Sequence, residues 1–118
     1  MKLEIKCFDR ADESRVFEKG RFDVIHAPGL TLGRASYAPG WKWSEHVGPT
    51  VGSSLCHVEH VGLVLSGRCK IAMSDGRELE IGSGDIFVVP AGHDSWVVGD
   101  EPYVSLHFIG TEEYAKKG

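Results

Sequence analysis

Several classes of protein are excluded by what the sequence has too little of. The 118 residues contain no apolar run near the roughly 20 residues that a membrane helix needs. The 13 Lys and Arg residues are outnumbered by 17 Asp and Glu residues, so the net charge is −4 and no basic stripe is available for nucleic acid. The first ten residues lack the apolar core of a signal peptide. We therefore expect a soluble, cytoplasmic protein with neither a membrane nor a nucleic-acid partner.

Cysteine and proline are also sparse, at three and five residues. An odd number of cysteines without a secretion signal favours reduced thiols. Cys7 and Cys69 are expected to pack as small apolar side chains, whereas Cys56 is left open because it lies among histidines. Glycine is abundant, at 15 residues, which is typical of a fold with many tight turns.

Short apolar segments separated by turn residues predict an all-β sandwich or barrel. Asp75-Gly76 is a strong signal for a hairpin turn, and Thr111 is a candidate cap for a short closing helix through Lys117. Residues 9–19 are open between a charged helical turn and an extended arm. The predicted strands lie at 3–7, 22–27, 30–37, 41–46, 55–65, 69–73, 78–81, 86–89, 95–98 and 103–109.

The stretch from Gly84 to His93 has the spacing of a known motif. Five residues separate Gly84 from Pro90, and Gly92 and His93 follow one residue later. Together with spaced glycines and histidines upstream, this pattern resembles the second of the two paired motifs of the cupin superfamily.

The resemblance implies both a fold and a domain layout. The fold is a small single-domain cupin, an RmlC-like jelly-roll barrel (a double-stranded β-helix) with a short C-terminal helix. One domain would span residues 1–118, with N-terminal strands or an arm at 1–38 and the motif-bearing barrel at 39–110.

The first cupin motif has two alignments, and both are open. One starts at Gly40 and places His46 at the first histidine position, so that the second histidine position falls at Gly48. The other starts at Gly48 and places Ser54 and Cys56 at the two histidine positions. In either alignment the family's usual set of three histidines and one glutamate is incomplete.

The two remaining ligand positions are altered as well. His60 stands at the glutamate position, and the last histidine position falls at Ser95, two residues after His93. Alternation along a strand sends every second side chain into the barrel. If His60 faces inward, Cys56 faces inward with it and His57 faces out.

The resemblance implies a mononuclear metal site formed by His46, His60 and His93. Imidazole and thiolate ligands suit zinc, and imidazole also suits iron and nickel. The alternative is a pocket without a metal, in which the histidines form only hydrogen bonds. The other candidate pocket residues are aromatic or polar side chains near these histidines: Trp41, Trp43, Cys56, Trp96 and His107.

Three functions follow as hypotheses. The first is a small binding or sensing domain that holds a small molecule, with or without a divalent metal, in a pocket of His and Trp. The second is a metal-dependent enzyme of the dioxygenase or isomerase class, and the third is a structural module. Barrels of this kind leave strand edges and an apolar face to be covered, so we expect a homodimer with contacts from residues 9–19 and the early strands.

Overall fold

Nine β-strands form the core of the structure, a computed structural model that describes residues 2–116. The strands are β1 (Glu13–Phe17), β2 (Gly20–Ala27), β3 (Leu30–Tyr37), β4 (His60–Ser66), β5 (Arg68–Met73), β6 (Glu78–Gly82), β7 (Ile86–Val89), β8 (His93–Val98) and β9 (Tyr103–Ile109).

The strands pair into two antiparallel sheets. The larger sheet has six strands in the order β1-β2-β3-β9-β4-β7, and the smaller has three in the order β6-β5-β8. Phe22 and Val64 from the larger sheet and Cys69 and Ile71 from the smaller one belong to one buried apolar cluster. The core therefore lies between the sheets, and the prediction of an all-β barrel is confirmed.

The hairpin predicted at Asp75-Gly76 joins β5 to β6. The Asp75 carboxylate accepts a hydrogen bond from the Arg77 backbone N–H at 3.0 Å, and Gly76 has a φ of 94°. A φ of this sign is readily adopted by glycine and costly for most other residues.

The segment predicted as a strand at 41–46 is instead partly helical. Two four-residue helices, α1 (Trp43–His46) and α2 (Gly48–Val51), follow each other closely. Gly52 ends α2 in the left-handed conformation, which is a common helix stop. Among residues 2–116 no helix is long and apolar enough to cross a membrane.

The two ends of the chain also differ from the prediction. Residues 3–6 are exposed and Cys7 is half-buried, and none of the five is paired in a sheet. Residues 9–19 divide between a 3-10 turn, Phe8–Arg10, and β1. The predicted C-terminal helix is a run of turns over 111–115, and Lys117 lies outside the described residues.

The C-terminal run of turns, residues 111–115, is held against the barrel by Arg15. The Arg15 guanidinium donates hydrogen bonds to the backbone carbonyls of Thr111, Glu112 and Tyr114, and Glu13 accepts a hydrogen bond from its Nε at 2.7 Å. This arrangement places the Tyr114 side chain, 3% exposed, in the barrel interior.

Candidate metal centre

Three buried donor side chains meet between the two sheets. His60 begins β4 in the larger sheet, and His93 begins β8 in the smaller one. Cys56 lies in the segment between α2 and β4. One donor atom from each of the three residues lies within 4.8 Å of the other two, and all three residues are buried.

Backbone hydrogen bonds hold Cys56 opposite His93. The Cys56 N–H donates to the His93 carbonyl at 2.7 Å, and the Cys56 carbonyl accepts from the N–H groups of His93 and Gly92. Gly92 follows Pro90 in the turn before β8 and has a φ of 90°. The turn allows an isolated β-bridge between Cys56, which lies in a loop, and His93, which is the first residue of β8.

The spacing of the donor atoms suits one metal ion. The Cys56 Sγ lies 3.5 Å from the His60 Nε2. Nitrogen and sulfur ligands of one tetrahedral zinc ion lie about 3.3–3.8 Å apart, given their usual bond lengths. The Sγ–Nε2 pair is therefore already at the separation that a shared ion requires.

His93 is oriented as metal-binding histidines usually are. Its Nδ1 lies 2.7 Å from the Pro90 carbonyl oxygen, and a carbonyl can only accept, so the ring proton is on Nδ1. The His93 Nε2 then carries a free lone pair. Metal-ligating histidines commonly donate their other ring N–H to a backbone carbonyl in this way.

Burial sets the protonation states of the three donors. It lowers the pKa of His60 to about 2, with a further contribution from His107 and His93. Burial likewise lowers the pKa of His93 and raises that of the Cys56 thiol to about 11. At neutral pH both imidazoles are therefore neutral, each with one ring nitrogen free of a proton, and a metal ion would have to displace only the thiol proton.

His107 lies beside this group without joining it. Its ring centre is 5.1 Å from that of His60, and its Nε2 is 3.2 Å from the Ser105 hydroxyl. Within residues 2–116 the Nδ1 atoms of both His60 and His107 have no hydrogen-bond partner. Two buried polar atoms thus remain available to a further ligand.

The space next to these rings is small. The inner cavity has a volume of about 30 Å³ and is walled by His60, His93, His107, Ser95 and Tyr114, among others. A cavity of this size holds a water molecule or two but not an organic ligand. A larger groove of about 730 Å³ lies outside, between β6 and β7. The groove and the inner cavity share part of their walls: Ile71, Ile81, Phe87 and Val89.

A family described as the EutQ-like cupin domain matches residues 41–104, which is more than half of the chain. The chain belongs to the EutQ-like cupins. Among proteins with curated descriptions, none matches it.

Solved structures of other cupin-like proteins share the fold. A structural-genomics protein of unknown function from Rhizobium leguminosarum bv. viciae is 24% identical with a TM-score of 0.65, over 92% of this chain and 97% of that one. The polyketide cyclase RemF from Streptomyces resistomycificus is 14% identical with a TM-score of 0.66, over 93% and 80%. Oxalate decarboxylase from Lactobacillus farciminis is 22% identical with a TM-score of 0.63, over 83% of this chain but 30% of that longer one. At these identities the likeness shows the jelly-roll fold alone.

The geometry favours the cupin-motif alignment that starts at Gly48. In that alignment Cys56 takes a histidine position and His60 the glutamate position, and both side chains reach the metal centre. Ser54, at the other histidine position, is exposed. Ser95, at the last histidine position, lines the inner cavity next to His93.

His46 does not join the group, so the set of His46, His60 and His93 is corrected to Cys56, His60 and His93. His46 lies at the end of α1, and its Nδ1 accepts a hydrogen bond from the Lys42 backbone N–H at 2.9 Å. The prediction assumed a strand at 41–46, and the helical turn there directs the ring to its own backbone instead.

The three tryptophans do not line the cavity of this cupin. Trp41 is fully buried and stacks on Tyr37 with ring centres 3.7 Å apart, and Trp43 is buried in the core. Trp96 alternates with the inward residues of β8, so it faces outward, under the Lys42 ammonium. The alternation of side chains along β8, counted from the inward His93, already predicts that Trp96 faces away from the barrel interior.

Tyrosines take the place that the tryptophans were expected to fill. Tyr37, Tyr103 and Tyr114 line the inner cavity, and the Tyr37 and Tyr114 hydroxyls share a hydrogen bond. Tyr37 and Tyr103 follow the alternation of β3 and β9 and could have been found from it. Tyr114 lies in a short polar segment that has no such pattern.

Proposed function

We propose that this EutQ-like cupin binds a divalent metal ion through Cys56, His60 and His93 and holds a small molecule beside it. The observation that carries the proposal is the meeting of three buried donors, one of them already oriented by the Pro90 carbonyl. Among the metals that these ligands suit, the thiolate favours zinc over iron and nickel.

The residues around the donors would shape what binds. When the Nε2 of His60 faces the ion, its proton must sit on Nδ1, so that Nδ1 becomes a buried N–H donor without a partner within residues 2–116. A polar ligand atom in the inner cavity would satisfy it. A metal ion held by three protein ligands keeps a position for water or a small ligand and acts there as a Lewis acid.

The groove between β6 and β7 supports the small-molecule part of the proposal. Its volume of about 730 Å³ lies in the range of ligand pockets, whereas the inner cavity does not. Because Ile71, Ile81, Phe87 and Val89 wall both spaces, the groove adjoins the inner cavity, and the proposal places an organic ligand there with one polar end towards the metal. These four shared side chains are apolar and would keep bulk water away from that end, while Arg77, Glu78, Glu80 and Asp85 also line the groove.

A metal-dependent enzyme is the second candidate. Three protein ligands with one position left for water or substrate is the pattern of catalytic rather than structural zinc sites. The polyketide cyclase and the oxalate decarboxylase show that this fold supports enzymes, but they share too little sequence for their reactions to be carried over. A bound ligand recovered unchanged from the metal-loaded protein would favour binding, and a converted one would favour catalysis.

Elemental analysis of the protein purified without an affinity tag tests the metal site. We expect close to one metal ion per chain, either in the protein as purified or after reconstitution with Zn²⁺. His60→Ala and Cys56→Ser each delete a ligand, so each should lower metal affinity by at least about 100-fold.

Two matched variants control for indirect effects. His46→Ala removes a histidine outside the group, and Cys69→Ser changes another buried cysteine that is not among the donors. Both should retain the metal. The proposal is wrong if the reconstituted protein holds no ion, or if His60→Ala and His46→Ala bind it equally well.

A further inference from the structure

The Tyr114 side chain fills a cradle that other elements build. Its ring centre lies 4.8 Å from that of Phe22, 4.9 Å from that of His60 and 5.8 Å from that of His107, and its hydroxyl shares a hydrogen bond with the Tyr37 hydroxyl. These four cradle residues are buried and lie on β2, β3, β9 and β4, which are consecutive strands of the larger sheet. Their backbone positions are therefore set by the sheet and not by the segment that carries Tyr114.

The segment that carries this tyrosine, residues 112–115, is less firmly built than the cradle. It contains no helix or strand, and Ala115 has a φ of 53°, which is costly for a residue with a Cβ atom. The Arg15 guanidinium supplies three of the hydrogen bonds that attach this end of the chain to the barrel. Thr111 is buried and its hydroxyl donates to the His107 carbonyl at 3.1 Å, so an opening motion would begin after it. Segments with few backbone hydrogen bonds open locally at low cost.

The polar groups of the cradle define what could replace the Tyr114 ring. Within residues 2–116 the Tyr37 hydroxyl forms its only hydrogen bond with that of Tyr114. A buried hydroxyl is costly without a partner, so the vacated cradle would favour an occupant that carries a hydroxyl at the same place. Among the described residues, no Asp, Glu, Lys or Arg lines the inner cavity, and a carboxylate or ammonium group would therefore be left unpaired there.

We infer that the cradle is a binding site for a neutral phenolic ring, and that Tyr114 occupies it until such a ligand displaces it. The ligand ring would lie between Phe22 and His60, and its hydroxyl would take over the hydrogen bond to Tyr37. Departure of the Tyr114 ring would add its own volume to the inner cavity of about 30 Å³. A ring-sized space is sufficient for such a ligand, since an apolar cavity of roughly 150 Å³ binds benzene.

This site differs from the position proposed for a ligand in the groove between β6 and β7. None of the four cradle residues lines that groove. The phenolic ring would contact the ring of His60 and not replace Cys56 or His93 in the metal centre. Binding at the cradle therefore requires no metal ion and does not rest on the proposed function.

Titration of the unmodified chain with 4-methylphenol, which is the tyrosine side chain as a free molecule, tests the inference. Calorimetry should show saturable binding of one molecule per chain, and hydrogen exchange at the Tyr114 amide should become faster as the ligand is added. Because the ligand binds only when Tyr114 has left, it shifts the population towards the open segment. A ligand that binds the closed protein would leave this exchange unchanged or slow it, so the direction of the change is specific to displacement.

Arg15→Ala weakens the attachment of the segment without touching the cradle's hydroxyl partner. It should lower the apparent dissociation constant for 4-methylphenol by at least about 10-fold, because the binding-competent open state becomes more populated. Arg77→Ala, in the exposed β5–β6 turn, is the matched control and should bind like the unmodified chain.

Tyr114→Ala leaves the cradle vacant, so it should also bind 4-methylphenol at least about 10-fold more tightly than the unmodified chain. Adding Tyr37→Phe to Tyr114→Ala removes the partner of the ligand hydroxyl and should weaken that binding by at least about 5-fold. Cys56→Ser, and the unmodified chain with or without Zn²⁺, should all bind alike. This last comparison separates a failure of the phenol site from a failure of the metal centre.

Three outcomes would overturn the inference. The first is 4-methylphenol binding to the unmodified chain without faster exchange at Tyr114, which would place the ligand elsewhere. The second is equal affinity of Arg15→Ala and Arg77→Ala. The third is an absence of saturable binding in the unmodified chain, since Tyr114 would then not yield to a ligand. The first and third use the unmodified chain, so they decide the matter even if a variant does not fold.

Discussion

Asp23 on β2 is a carboxylate that is almost fully buried, and three side chains donate hydrogen bonds to it. The donors are Ser14 at 2.7 Å, Arg21 at 3.0 Å and Arg34 at 3.1 Å. Burial by itself would raise the pKa of Asp23. The hydrogen bonds from Ser14, Arg21 and Arg34 outweigh it, so the pKa lies below its ordinary value of 3.8.

A lowered pKa makes stability depend on pH in a defined direction. Above the unfolded-state pKa the ionised Asp23 contributes its full stabilisation, which is lost as the pH falls through the lower folded-state pKa. Asp23→Asn should therefore lower the free energy of unfolding at neutral pH by about 2–3 kcal/mol. The difference between the variant and the unmodified chain should shrink below pH 3.8. Urea unfolding of both proteins at a series of pH values measures the loss at neutral pH and its decrease at low pH.

Asp75→Asn provides the comparison for this measurement. Asp75 is also hydrogen bonded to an arginine, but it lies in an exposed turn. Its removal should leave the free energy of unfolding close to that of the unmodified chain, because substitutions at exposed positions have little effect on stability. Equal losses for Asp23→Asn and Asp75→Asn would contradict the role assigned to burial at Asp23.

The site was predictable from the sequence where alternation applied. The inward direction of His60 follows from its place in β4, and the outward direction of His57 agrees with its exposure. Cys56 was a candidate through the second motif alignment. The prediction of His46 as a ligand was wrong because the direction of its side chain depends on a helical turn. Tyr114 was missed as a cavity residue because no periodic pattern surrounds it.

At the scale of elements, most strands were predictable, but the strand expected at 3–7 is absent, β1 was not predicted as a strand, and the two helices were not predicted. Gly and Pro punctuate the strands, and Asp75-Gly76 fixes a hairpin. Trp41 and Trp43, two residues apart, have the period of a strand, but α1 begins at Trp43. A four-residue helix gains little from intrinsic propensity. The burial of Trp43 and Val47 in the core stabilises it, and that is a tertiary effect.

The C-terminal run of turns depends on one side chain from another element. Arg15→Ala removes the donors to three carbonyls of residues 111–115. We expect hydrogen exchange at the Tyr114 amide, which is bonded to the Gly110 carbonyl, to become at least about 10-fold faster, because local opening becomes less costly. Arg77→Ala, in the exposed β5–β6 turn, should leave that rate unchanged. An unchanged rate in Arg15→Ala would show that Tyr114 packing alone holds the segment.

At the scale of the whole molecule, the proposed metal ligands belong to both sheets. His60 comes from the larger sheet and His93 from the smaller one, while Cys56 bridges to the latter. An ion that binds only the folded chain stabilises it, by about 2.7 kcal/mol at a free concentration of 100 times its dissociation constant. We therefore expect Zn²⁺ to raise the melting temperature of the metal-free protein. Cys56→Ser should reduce that rise, and Cys69→Ser should not.

The family and the barrel could be predicted from motif spacing, because glycines and prolines at fixed intervals set where the strands turn. The apolar outer face of the larger sheet was harder to predict from the sequence. The apolar run at 55–65 indicated a central strand, and only the structure shows that one side of β4 faces the core while the other is uncovered within the described chain. Sequence alternation alone does not say which neighbour covers a strand.

The position of the donors along the chain has a consequence for the order of folding. Cys56 and His60 are four residues apart, whereas His93 follows 33 residues after His60. In the unfolded chain, bringing His93 to Cys56 and His60 would cost the conformational entropy that is lost when the loop between them is closed. The structure makes this approach through the bridge between Cys56 and His93 at the start of β8, so the third donor reaches the other two only when that long-range contact has formed. A chain that lacks the contact offers an ion only the short Cys56–His60 pair.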